Sequence, residues 1–268
     1  MKLVQILPKN LRAFIKAFIF VISISSYFVI TTFLYPFLIM KPMSTRKVIN
    51  SLLLKYSRFY CWFMGIRVKK IIEEDFKDEE SYLVISNHLS YTDIIVIVSQ
   101  HKCSFVTSVE IKKTPFLGQI CQLAGCLFVE RRSRKKLGSE VKELSDALRS
   151  GLNVVVFPEA TSTNGEEVIR FKRPLFRAAI ESGVNVKPVT LNYRAIDGVS
   201  VTHANRDAVF WYGDMAFASH LWGVFQSRYI DVDITVGKEI KVSENADHSE
   251  LAEEGHRSVS THYHNIQI

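Results

Sequence analysis

Short apolar stretches alternating with longer amphipathic ones, one uncharged run near the N-terminus, and 47% hydrophobic residues in 268 together predict the fold class. It is α/β, a mostly parallel or mixed sheet covered by helices, with an N-terminal membrane-associated helical segment. Composition divides the chain at about residue 70, into membrane-associated helices at 1–70 and an α/β domain at 71–268.

The N-terminal part comes first. Residues 18–40 (FIFVISISSYFVITTFLYPFLIM) carry no charge. As a helix they would run roughly 35 Å, enough to cross the roughly 30 Å hydrocarbon core of a bilayer. Basic residues flank both ends, Lys2, Lys9, Arg12 and Lys16 before and Lys41, Arg46, Lys47, Lys55 and Arg58 after. Both flanks therefore favour the cytoplasmic side, and a segment bent near Pro36 or lying in one leaflet satisfies them as well as a crossing does. Residues 48–66 mix Leu52, Leu53, Phe59, Trp62 and Phe63 with Lys55 and Arg58, which suits a helix at the interface or one packed on the globular core.

After Glu73, Glu74 and Asp75 the pattern changes. Strands are predicted at 82–86 (YLVIS), 104–109, 126–129, 153–157 and 186–191, with longer helical stretches between them. Leu137, Val141, Leu144 and Leu148 recur at helical spacing, and Gly151 supplies a stop. At 229–236, Ile230, Val232, Ile234 and Val236 alternate with polar residues, a half-exposed strand. His248, His256, His262 and His264 fall in a polar tail without zinc spacing and read as surface residues, so no metal site is predicted.

The net charge of +7 calls for an anionic partner: nucleic acid, anionic lipid, or a phosphorylated or acidic substrate. No nucleic-acid module accompanies the charge, and the apolar run favours lipid. Cys61, Cys103, Cys121 and Cys126 form no C-x-x-C pair, which suits a reducing compartment better than a disulfide scaffold.

The chemistry centres on residues 86–93 (SNHLSYTD). The strand at 82–86 delivers His88 to a loop at its carboxyl end, where α/β sheets place ligands, and a helix would start near Asp93. Two roles are open to Asp93. As an N-cap it would accept amide hydrogen bonds, whereas turned back onto the imidazole it would fix its tautomer and make it a better general base.

Further stretches follow: GCLFVERRSR (125–134), VVFPEATSTNGEEVIRFKRP (155–174) and VKPV (186–189). Together with NHLSYTD they resemble the four motif blocks of the lysophospholipid acyltransferase family, the 1-acylglycerol-3-phosphate acyltransferases and their relatives, over about residues 80–240. The resemblance implies that His88 removes a proton from an acceptor hydroxyl while Asp93 holds the imidazole. The hydroxyl then attacks an acyl thioester directly, in keeping with the absence of a G-x-S-x-G elbow. It also implies that Arg131 lies beside the acceptor head group, that Glu159 with Thr161 belongs to acceptor binding, and that Pro188 sits in a strand.

Two positions depart from the family pattern. Ala160 replaces a glycine, so the loop is expected to stay in an ordinary backbone region. Ser162 replaces an arginine, which removes a bidentate phosphate ligand and leaves Arg131, Lys172 and Arg173 as anion ligands. This form of the third block, and more weakly WYGDMAFASHLW (211–222), also resembles the lyso-ornithine lipid acyltransferases.

The expected function is transfer of a fatty acyl group to a lysolipid hydroxyl, foremost 1-acyl-glycerol-3-phosphate, giving phosphatidic acid. The expected site is His88 and Asp93 for catalysis, with Arg131, Glu159, Thr161, Lys172 and Arg173 for substrate. No cofactor is expected; acyl-CoA or acyl carrier protein is the co-substrate. The expected place is a phospholipid bilayer, with the site facing the cytoplasm. The alternative of another class is a lipid-binding protein without chemistry.

Overall fold

The structure, a computed structural model, describes residues 2–77, 80–114, 117–130 and 137–266. The chain begins with the helices α1 (Lys2–Gln5), α2 (Lys9–Met40) and α3 (Pro42–Met64), then β1 (Ile66–Ile72), β2 (Leu83–Ser86), α4 (Thr92–Gln100) and β3 (Ser104–Ser108). It continues through α5 (Val109–Lys113), α6 (Leu117–Leu123), β4 (Leu127–Val129), α7 (Leu137–Arg149), β5 (Val154–Val156), α8 (Arg177–Ser182), β6 (Val186–Ile196) and β7 (Val199–Ser200). The last elements are α9 (Phe217–Gln226), β8 (Ile230–Val236) and α10 (His248–Thr261).

Seven strands run in the order β1-β8-β6-β2-β5-β3-β4, with β7 paired to β6 outside that path. Only the β6 pairings with β7 and β8 are antiparallel; the rest are parallel. Val154, Val155 and Val156 are all buried, as a central parallel strand requires. Two helices lie on opposite faces of β6. Tyr193 hydrogen-bonds into α4, while Thr190 Oγ1 donates to the Val259 carbonyl of α10.

The uncharged N-terminal run forms α2, which passes through Pro36 unbroken to Met40. The chain reverses at Lys41, with Pro42 at the first position of α3, where its missing N–H is not needed. Ser26 with Tyr56 and Phe20 with Tyr60 then pair the two helices as an antiparallel hairpin. Along its length α3 is bonded to the globular part, Arg46 to the Gly125 carbonyl, Asn50 to Ser104, and Arg58 to the Ser99 carbonyl. Of the two roles expected for residues 48–66, packing on the core is the one observed, with Val48, Phe59 and Trp62 left on the outer face. Helix α2 lies outside α3 and is mostly exposed. By length and composition it is able to cross a membrane.

Two expectations need correction. The division at residue 70 falls inside β1, which pairs with β8 over Ile66–Ile72 and so belongs to the sheet. Arg67, Lys69 and Lys70 interrupt its apolar residues, which hides the strand in the local pattern. The polar tail is the amphipathic helix α10, which buries Leu251, Ala252, Gly255 and Val259, and Asp247 caps it by accepting from the Ser249 and Glu250 amides.

Candidate active site

Strands β2 and β5 are parallel neighbours, so their carboxyl ends open at the same edge of the sheet. His88 follows one and Phe157-Pro158-Glu159 the other. Asn87 turns the chain out of β2: its side chain donates to the Leu191 carbonyl and accepts from the Leu191 amide, replacing a strand partner on β6. The loop carrying His88 is thereby held on one side by the sheet itself.

His88 Nδ1 lies 2.8 Å from Asp93 Oδ2. The same oxygen accepts from the amides of Leu89, at 2.6 Å, and Ser90, at 2.9 Å. The other oxygen accepts from the Tyr193 hydroxyl at 2.7 Å. Asp93 is 0% exposed, so these contacts replace its water entirely. Its role as a helix cap is excluded by direction. Helix α4 starts at Thr92, Tyr91 stands at the N-cap without a side-chain cap bond, and the Asp93 carboxylate reaches backward to residues 88–90.

A carboxylate at Nδ1 fixes the tautomer that leaves the Nε2 lone pair outward. Phe157 sets the ring plane, stacked on the imidazole at 4.1 Å and 14°. Burial, then the Asp93 carboxylate, pushes the Tyr193 hydroxyl well above its ordinary pKa, which keeps it a donor.

Glu159 is 2% exposed. Its Oε2 accepts from the His88 amide at 2.6 Å and its Oε1 from the Ile169 amide at 3.0 Å. Burial pushes its carboxyl up to about 8, against the two amides, which favour the charged form. It therefore ties the histidine loop to residues 169–173. Thr163 closes the same ring, its amide donating to the His88 carbonyl at 2.9 Å.

The other expected residues distribute differently. Thr161 is exposed, its hydroxyl donating to the Ser162 carbonyl. Lys172 is exposed, and its amide donates to the Pro158 carbonyl. Arg173 turns away from His88 toward Ser249 and Glu253 of α10. Arg131 lies outside the described residues. Ala160 corrects an expectation: its φ is 61°, the left-handed region, so the loop keeps the glycine-like conformation without the glycine. Sequence reasoning missed Asn87, Phe157, Thr163 and Tyr193 as parts of the site. Asn87, Phe157 and Thr163 stood inside quoted stretches, while Tyr193 reaches Asp93 across 100 residues of chain.

Residues 67–192 match the family model described as Acyltransferase. A lyso-ornithine lipid O-acyltransferase of Rhizobium meliloti is 28% identical over 204 residues, 74% of this chain and 69% of that one. A 1-acyl-sn-glycerol-3-phosphate acyltransferase of Neisseria gonorrhoeae is 32% identical over 152 residues, 57% of each chain. The crystal structure of PlsC, the 1-acyl-sn-glycerophosphate (LPA) acyltransferase of Thermotoga maritima, has the same fold, with a TM-score of 0.64 at 20% identity over 94% of this chain and 92% of that one. The chain carries an acyltransferase domain, and that domain together with the relatives so named supports an enzyme that acylates lysophospholipids.

Proposed function

We propose that this enzyme is a membrane-bound O-acyltransferase, moving a fatty acyl group from an acyl thioester of CoA or acyl carrier protein to the hydroxyl of a lysolipid. The observation that carries this reading is an outward-facing imidazole whose inner nitrogen rests on a buried carboxylate with three further hydrogen bonds. His88 Nε2 takes the hydroxyl proton as the acceptor oxygen bonds to the thioester carbon. The carbon–sulfur bond then breaks, and the imidazolium returns the proton to the leaving thiolate. Asp93 orients the ring and stabilises the imidazolium. A base so placed contributes about 10² to 10⁴ in rate.

For the acceptor, lysophosphatidic acid is one reading and a lyso-ornithine lipid the other. Ser162 and the turn of Arg173 toward Glu253 both remove cations from the neighbourhood of His88, which favours the amino-acid lipid. Both acceptors live in a bilayer, and the exposed apolar surface of α2 is suited to hold the enzyme there, with the site on the cytoplasmic side.

The test uses purified full-length protein, one labelled acyl-CoA and the two acceptors side by side, with His88→Ala as the blank. Transfer to either acceptor that falls at least about 10²-fold in His88→Ala is the expected result. Near-normal transfer by His88→Ala would remove the general base. The acceptor used would decide between the two lipids.

A further inference from the structure

Arg173, which the sequence offered as an acceptor ligand, faces another cavity together with Arg170 and Arg257, to which the sequence assigned no role. Its volume is about 630 Å³, and Arg170, Arg173, Glu253, His256 and Arg257 line it between the segment after Glu159 and helix α10. Three guanidinium groups oppose one carboxylate there, so the cavity is cationic. Arg170 and Arg173 approach the same Glu253 oxygen at 3.7 and 3.5 Å, and both pairs are largely exposed. Such pairs are weak, and a phosphate would displace Glu253 at little cost. Among the described residues, Arg257 makes no ion pair. His256, expected on the open surface, instead forms part of the wall: its Nε2 donates to the Val168 carbonyl at 2.8 Å, and its ring meets Phe171 edge-on at 5.2 Å.

The segment that lines the cavity is tied to the catalytic loop through Glu159. Ile169, next to Arg170, donates to one oxygen of Glu159 while His88 donates to the other, so one carboxylate separates the two backbones. The Lys172 amide is bonded to the Pro158 carbonyl, which holds the arginine-bearing segment in place. The cavity also lies on the α10 face of β6, opposite the face on which α4, α3 and the apolar α2 are layered.

We propose that this cavity binds the phosphate end of the acyl donor, the phosphorylated pantetheine that CoA and acyl carrier protein share. The inference rests on the acyltransferase reading above. Guanidinium forks match phosphate oxygens two at a time, the volume suits a ligand larger than inorganic phosphate, and the arginine-bearing segment is bonded through Glu159 to the loop that carries His88.

The experiment compares three donors on full-length protein: acyl-CoA, acyl carrier protein, and acyl-pantetheine, which lacks phosphate. In Arg170→Ser/Arg257→Ser the KM for a phosphorylated donor should rise about tenfold while the KM for acyl-pantetheine stays unchanged, so the advantage of the phosphorylated donor, the KM ratio of acyl-pantetheine to it, collapses. Collapse for acyl-CoA alone identifies CoA as the source, and collapse for the carrier protein alone identifies that. Arg257→Lys should recover part of the loss, which a merely misfolded variant would not. An unchanged ratio for both donors overturns the proposal. Calorimetric binding of CoA and of the phosphopantetheinyl carrier protein to His88→Ala gives a readout free of turnover. Arginine-dependent binding there, with no transfer to any acceptor by the wild type, would sink the catalytic reading and keep the site; binding of both that ignores the arginines would sink the site alone.

Discussion

Asp93 shows how one side chain serves two functions without compromise between them. Its carboxylate organises the turn by accepting from Leu89 and Ser90, and the same oxygen holds His88, so the loop geometry and the imidazole tautomer have one cause. Ala160 stores strain a few residues from that site. An L-residue in the left-handed region costs roughly 1 to 2 kcal/mol, part of which glycine returns as unfolded-state entropy. Ala160→Gly should therefore stabilise the protein by about 0.5 to 1 kcal/mol in denaturant titration. Glu159 makes a pH prediction with a definite sign. Its carboxyl is raised from 4.5 to about 8 by burial, so the native state holds the proton more tightly than the unfolded chain. Stability should fall as pH rises from about 4.5 to about 8 and level off above. Unfolding midpoints measured across that range should slope downward in wild type and more weakly in Glu159→Gln. An equal slope in the two would mean that the carboxyl is charged throughout.

At the scale of elements, the helical hairpin is fastened to the domain by buried cations. Lys16 of α2 is fully buried and donates to the carbonyls of Met64, at the end of α3, and Ser227, just past α9. Arg12 does the same for Gln226. Carbonyls at helix ends are the groups left without intrahelical partners, so one amine satisfies two elements at once. Lys16→Met keeps the volume and removes both bonds. It should cost about 2 kcal/mol of stability, read as a lowered denaturation midpoint with α2 the first helix to become protease-sensitive. The basic flank was legible in the sequence as a topology signal. Its part in binding helix ends was not, because Lys16 and Ser227 lie 211 positions apart.

The whole molecule has an apolar layer on one face and a cationic cavity on the other, with the candidate site at the strand ends between them. Phe33 of α2 is 74% exposed, and Phe37 is also largely open. A monomer in water rarely presents so much contiguous apolar surface. Phe33→Asp/Phe37→Asp should lower partition onto phospholipid vesicles by at least about tenfold in a flotation assay. Transfer to an acceptor dispersed in detergent should stay within about twofold, because these residues touch no part of the site. Equal flotation of variant and wild type would exclude α2 as the membrane contact.

The sequence by itself determined the fold class, the positions of the central strands along the chain, the apolar N-terminal helix, and the placing of His88 just past a buried strand with Asp93 five positions on, the role of Asp93 left open. All four are written in local patterns: period-two and period-3.6 hydrophobicity, an uncharged run of sufficient length, and a histidine at the end of a buried strand. Only the tertiary structure decided which way Asp93 points, that Tyr193 and Asn87 complete its setting, that Ala160 adopts a left-handed backbone, that Arg173 turns to α10, and that His256 of α10 packs on Val168 and Phe171. Each of those depends on strands and helices distant in the chain meeting at one sheet edge. Spacing along a sequence constrains what neighbours along the chain are able to do, whereas side-chain direction is set by the elements packed against it.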